Sequence, residues 1–350
     1  MQASQIAIIG AGMAGLAAAR ALTTAGKSVL IVEKSRGLGG RVATRRIGSC
    51  HLDHGAQIIK PTGHTLGEVM ERELPVEDLI RVHAPTCLYR SDGTILPPDP
   101  VRAAEPQFAY RAGLTTLAKL LFQSLPAERA SLRRETRIAS LQETEEGIVL
   151  RDDQGGIVGR ATQVVITAPA AQSADLLAAS RLRETTTARQ DALRSVPYSA
   201  CLCVMLAYAP PMPEPPCYAL LAEDRNDPLL WLAFENVKLP SCAPDGETLL
   251  IAQMGPAFSA EYYSADDSEI TALALAEIQR LFGATYPAPL WSEVKRWRYA
   301  QPRGMVAFEA VNPTASPVVV CGDALRPENG RVHQAYSSGL EAAQRLLESQ

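Results

Sequence analysis

The stretch QIAIIGAGMAGLAAARAL, residues 5–22, limits what this chain can fold into more than any other. Its apolar opening, Gln5–Ile9, reads as a short buried strand. Gly10, Gly12 and Gly15 follow at G-x-G-x-x-G spacing, and the next dozen residues carry the periodicity of a helix. A second apolar run, SVLIVE (Ser28–Glu33), ends on an acid. Strand, glycine turn, helix, strand and acid in that order are the signature of a dinucleotide-binding unit. Gly10 allows the tight turn, Gly12 lets the backbone approach a pyrophosphate, and Gly15 lets helix and sheet pack closely. The pyrophosphate would lie over Gly12, Met13 and Ala14, at the amides of the helix N-terminus. Glu33 would accept from an adenosine ribose hydroxyl, with Lys34 next to it. A carboxylate at Glu33 repels a 2′-phosphate, so NADP is disfavoured, while FAD and NAD remain.

The residues after Glu33 choose between them. EKSRGLGGRVATRR, residues 33–46, combines a pliant backbone with a concentration of cationic side chains, including Arg36, Gly39, Gly40 and Arg41. An NAD site needs nothing special here, whereas a longer ligand running back along the sheet edge would account for it. The plainer alternative is a solvated basic loop. At 350 residues the chain exceeds the usual size of one core, so two domains are expected. A net charge of −4 argues against nucleic acid or an anionic membrane surface as partner. Nor does any run of about 20 apolar residues suggest a membrane span. Seven cysteines without a CxxC fit reduced thiols in a cytoplasmic protein, and the glycine-interrupted N-terminus does not fit a signal peptide. His51 and His54 flank Asp53, but no further ligand cluster joins them, so no metal is expected.

On the segment GGRVAT (Gly39–Thr44), together with the glycine fingerprint and Glu33, the sequence resembles the flavin-dependent amine oxidase superfamily. LDHGAQ (Leu52–Gln57) is similar to the D-x-G-A-Q of its renalase branch. VPYSACLCVMLAY (Val196–Tyr208) resembles that branch's first long substrate-domain strand, and KRWRYAQP (Lys295–Pro302) its W-x-[YH]-[AS]-[QR] segment. VVVCGDALRPENGRVHQAYSSGLEAAQRLL (Val318–Leu347) is similar to its closing flavin-binding strand and helix. The resemblance implies an α/β chain with a discontinuous Rossmann-type FAD-binding domain, over residues 1–60, 107–170 and 292–350. A substrate domain of mixed sheet plus helices would take residues 61–106 and 171–291. Further residues implied to touch FAD are Gly55, Ala56, Gln57, Ile138, Asp323, Arg331 and Val332. Asp323 would serve the ribityl or pyrophosphate region, although a turn aspartate reads the same way. The amides near Arg331 and Val332 would face the flavin's N1–C2=O edge. Attachment should be non-covalent, because Cys321, the closing segment's only cysteine, ends an apolar strand.

The activity implied is that of an oxidase: hydride from a small reduced substrate to flavin N5, then electrons to O2. Renalase-like substrates would be dihydro isomers of NAD(P). Oxidation of an amine or a carbon–carbon bond in another small molecule is the alternative, as is a flavin-binding protein without turnover. The cofactor carries the chemistry, so no protein nucleophile is required. Two departures bear on the substrate. Ile58 and Ile59 follow Gln57 where the branch usually places a Tyr, and Ala252 stands where a His is expected. Trp297 and Tyr299 remain as aromatic candidates for the pocket, with core packing as the plainer role for Trp297. A more apolar wall, less suited to a nicotinamide, is the expectation.

Overall fold

The computed structural model describes residues 5–60, 63–184, 186–209, 215–282, 287–314, 316–327 and 330–349; Glu328 and Asn329 of the closing segment lie outside the described residues. The architecture is α/β, with two large sheets among the described residues. The first has five strands in the order 318–320, 163–166, 6–9, 29–32, 130–133, all parallel. Such strands must be apolar on both faces, and Ile6–Ile9 is buried throughout. The glycine turn then leads into the helix Met13–Thr24. Against it lies the closing helix Val332–Glu348, so close that a Cβ on Gly339 would overlap the Ala14 carbonyl. The three antiparallel strands 138–144, 147–152 and 157–161 form a meander that adds Leu141, Leu150 and Val158 to the same core.

The second sheet has six strands in the order 291–302, 198–208, 248–254, 229–234, 219–222, 86–89. Its strands alternate, as a sheet covered by different layers on its two faces requires. Leu202, Val204 and Leu206 pack with Leu250, Ala252 and the helix Asp267–Phe282. Cys203, Met205, Ala233 and Ile251 face the other way, onto Cys50, Leu52 and Ile58 from the N-terminal part of the chain. This second contact joins the six-stranded sheet to the hairpin 44–53, and through it to the nucleotide-binding part of the chain.

The sequence expectation of domain limits changes in two places. Trp291–Pro302 is an edge strand of the six-stranded sheet, paired antiparallel with Tyr198–Tyr208, so the expected limit at 292 moves past 302. The helices Thr65–Arg72, Ala170–Ala178 and Thr187–Arg194 bury Met70, Leu177 and Leu193 in the core of the parallel sheet, not in the substrate domain. Amphipathic helices fit either core by pattern alone, and only tertiary packing decides.

Candidate functional site

The C-terminal ends of the parallel strands converge on the glycine turn. Gly10 has φ +109, and a Cβ there would collide with Thr167 Oγ1. One on Gly15 would overlap the Gly10 carbonyl oxygen, so this glycine sets the distance between helix and strand. Gly12 differs: nothing lies within 4 Å of the place where its Cβ would stand. No side chain caps the helix that begins at Met13, so its first-turn amides, including those of Met13 and Ala14, face this open side. Gly40 approaches the same place at φ +59, where a Cβ would lie 3.5 Å from Gly12 Cα. Gly322, at φ +148, leaves a second open position at the end of the strand 318–320.

Glu33 is buried. Its Oε2 accepts from Ala11 N at 2.8 Å and its Oε1 from Ser35 N at 2.8 Å. The carboxylate thus holds both the glycine turn and its own loop, with lone pairs left for a ribose hydroxyl. Lys34 reaches away to Gln172 Oε1 at 3.1 Å, and Arg36 is exposed. Arg41 forms a two-pronged pair with Asp323: Nη1 donates to Oδ2 at 2.9 Å and Nη2 to Oδ1 at 2.6 Å. A third bond from Nη1 reaches Ala300 O at 3.1 Å. Burial disfavours the Arg41 cation, but the Asp323 carboxylate more than offsets this and holds its pKa above the usual value. These two residues, 282 apart in sequence, connect the glycine-rich loop to the closing segment. Ile138 is buried in the adjoining core. Arg331 precedes the closing helix in extended conformation without a side-chain cap, and Val332 opens the helix.

The arrangement fits FAD. An uncapped helix start opposite a buried acid suits an adenosine diphosphate, and the two open glycine positions leave backbone approachable for a long ligand. The segment Gly55–Ala56–Gln57 continues from the loop: Ala56 N donates to Arg41 O at 3.0 Å, and a Cβ on Gly55 would overlap that same oxygen. The six-stranded sheet meets the segment from the other side. Gln253 Nε2 donates to Gly55 O at 2.9 Å, and Trp297 Nε1 donates to His54 O at 3.0 Å. Trp297 also stacks on the His54 ring, with centroids 5.3 Å apart.

The five pocket candidates separate. Ile58 and Trp297 lie together on the face toward residues 50–58. Tyr299 makes an edge contact with Tyr198, 5.4 Å between centroids, and the Tyr198 hydroxyl is pushed up to about 12 by burial. Two candidates do not line this face. Ile59 exchanges backbone hydrogen bonds with Phe108 and packs into the core of the parallel sheet. Ala252 is fully buried under the helix Asp267–Phe282, on the opposite side of the six-stranded sheet. Side chains alternate along a strand, so an offset of one residue moves a position to the other face; Gln253 stands where Ala252 was expected. Asp53 and His54, which belong to the LDHGAQ segment, are joined at this junction by Gln253, Glu235 and Lys238, polar residues that no local motif reveals. Among the described residues no group of His, Cys, Asp and Glu is arranged to hold a metal, and no helix is long and apolar enough to cross a membrane.

Fold and site together define a flavin-binding oxidoreductase of two sheets, a parallel nucleotide-binding one and a mixed six-stranded one. The family model for flavin containing amine oxidoreductases matches residues 90–347, and one for NAD(P)-binding Rossmann-like domains matches residues 8–72. The chain belongs to the flavin-containing amine oxidoreductase family, with FAD as its cofactor. Putrescine oxidase of Kocuria rosea is 30% identical over 115 residues, 33% of this chain and 23% of that protein. Other curated relatives, such as FLOWERING LOCUS D of Arabidopsis thaliana, are matched over as little as 12% of their length. Among solved structures, cyclohexylamine oxidase of Brevibacterium oxydans superposes with a TM-score of 0.75 at 16% identity, covering 99% of both chains. A reduced UDP-galactopyranose mutase superposes at 0.78 and 13% identity, covering 99% of this chain and 94% of that one. These likenesses fix the fold and leave the reaction open.

Proposed function

We propose that the chain is an FAD-dependent oxidase of a small reduced molecule, renalase-like in descent, working in the cytoplasm with O2 as electron acceptor. The observation that supports this most is the junction at Gly55–Gln57, clasped between Arg41 on one side and Gln253 and Trp297 on the other. A flavin ring bordered by this segment would meet substrate at the face of the six-stranded sheet. Bound FAD would supply the chemistry, accepting a hydride from the substrate at N5 and passing electrons on to O2. The protein's part is positioning. Gly12, Met13, Ala14 and Gly40 hold the diphosphate, Glu33 the ribose, and Arg41 with Asp323 the stretch between nucleotide and ring. Gly15 sets the helix, and Ile138 supports the adenosine side. Lys34 and Arg36 add positive charge at the rim, and Arg331 and Val332 present amides to the ring's far edge. Ile58 and Trp297 exclude water from the substrate's side, and Tyr299 borders it near Tyr198.

For the substrate, Ile58 removes the aromatic surface expected after Gln57, while Gln253 offers an amide already engaged with Gly55. Dihydro isomers of NAD(P) should therefore be poor substrates, and another small reduced molecule should serve better. Anaerobic mixing of the purified holoprotein with 2- and 6-dihydroNAD(P) tests this through the flavin absorbance. Slow or absent bleaching with intact FAD is the expected result, and fast, complete bleaching would overturn the altered-substrate reading.

A further inference from the structure

Three ionisable side chains lie almost wholly inside the protein at the junction of the two sheets: Asp53, Glu235 and Lys238. Glu235–Lys238 is a single helical turn between the strands 229–234 and 248–254, and its spacing brings the acid and the amine to one side. Lys238 Nζ donates to Glu235 Oε2 at 2.8 Å and, across the junction, to Asp53 Oδ2 at 3.0 Å. It lies 3.5 Å from Gln57 O. Asp53 in turn accepts from Thr44 Oγ1 at 2.6 Å and Leu114 N at 2.8 Å through its other oxygen, and Gln57 Nε2 donates to its carbonyl. The amine thus holds both ends of the segment 53–57.

Buried ion pairs are weak stabilisers, because desolvation opposes the attraction, so the role of this one is sought in the geometry it fixes. The charge count supports a positioning role. One ammonium faces two carboxyl groups, and Glu235 Oε1 is buried without a partner. Burial raises the Glu235 pKa despite the nearby Lys238, while for Lys238 the two carboxyl groups outweigh burial and raise its pKa. With a proton on Glu235 the cluster is neutral as a whole, and the Lys238–Asp53 pair carries the bridge.

We infer that Lys238 is a positioning residue: from the substrate-side sheet it clamps residues 53–57, and so fixes the backbone of Gly55–Gln57 against the flavin. The inference rests on the reading that this segment borders the ring. Nothing in the family fingerprint near the N-terminus requires an amine supplied from residue 238, and its reach across the junction makes ring placement depend on the second sheet.

The test compares the full-length wild type with Lys238→Arg, Lys238→Met and the double variant Asp53→Asn/Lys238→Met. The double variant removes the bridge together with the Asp53 charge; Glu235, left without its cation and already pushed up by burial, takes up a proton, and the new Asn can still accept from Thr44 and Leu114. FAD affinity, the visible spectrum of bound flavin and its midpoint potential are measured beside thermal unfolding. The double variant should fold, yet bind FAD roughly tenfold or more weakly, as for a lost charged hydrogen bond, with an altered flavin band and a shifted potential. Lys238→Arg should restore much of each. A folded double variant with wild-type affinity, spectrum and potential would overturn the inference. Wild-type protein that takes up no FAD would overturn the flavin-border reading and the inference with it.

Discussion

His54 lies flat against Trp297, only 7% exposed, with its Nδ1 buried and unpartnered. Burial is the main cause that lowers its pKa to about 4; Lys295 and Arg45 add to this, and Asp53 opposes it. Its ordinary value is 6.5. A depressed histidine is neutral in the folded state while the unfolded chain takes up a proton. Its contribution is therefore fully present above about pH 6.5 and is lost as pH falls toward 4. The difference amounts to about 3 kcal/mol at most. Urea unfolding at pH 7 and pH 4.5 should show this loss in the wild type and a smaller one in His54→Gln. An equal loss in both would remove His54 as its source.

At the scale of elements, the glycines of the nucleotide site divide by what surrounds them. Gly12 has a negative φ of −77, open to any residue, with nothing within 4 Å of a Cβ, whereas Gly339 would thrust one into the Ala14 carbonyl. Gly12→Ala should leave the melting temperature of the FAD-free protein unchanged within experimental scatter and weaken FAD binding. Gly339→Ala should push the two helices apart and destabilise the protein by about 1–3 kcal/mol, the usual cost of overpacking. Calorimetry of FAD-free protein beside flavin titration separates the two. If Gly12→Ala bound FAD as tightly as wild type, the open side of the glycine turn would not be the diphosphate cradle. The same contrast shows what the sequence could reveal. The unit that carries Gly10, Gly12, Gly15 and Glu33 was legible because strand, turn, helix and strand follow one another in the chain, where spacing is geometry. Ala252 was misplaced because a strand's period of two gives alternation without telling which parity faces the ligand. The strand Trp291–Pro302 was misassigned for a related reason: its sequence says strand, and only pairing with Tyr198–Tyr208 says which sheet. Lys238 and Asp53, 185 residues apart, meet through the tertiary fold, and no local pattern marks such a pair.

For the whole molecule, the closing strand decides how the cofactor is held. Cys321 is fully buried at its end, and burial pushes its thiol far above the usual range, so it is neither exposed nor nucleophilic. FAD should be bound without a covalent link. Acid precipitation of the yellow holoprotein should leave the colour in the supernatant, and a yellow pellet would show attachment.

The order of strands in the parallel sheet also bears on how the protein is made. Ile6–Ile9, near the start of the chain, sits between Val29–Val32 and Gln163–Ile166, and the far side of the latter is covered by Val318–Val320. A ribosome delivers these partners far apart in time, so the first strand waits through about 150 further residues of synthesis, from Ile9 to Gln163, before its second neighbour exists. The last edge stays open longer still, until Val318–Val320 leaves the exit tunnel. Asp323 and the closing helix arrive later, so the nucleotide cannot be fully enclosed before they emerge. Nascent chains should depend on chaperones through that interval, and FAD should be taken up only once the closing helix has emerged.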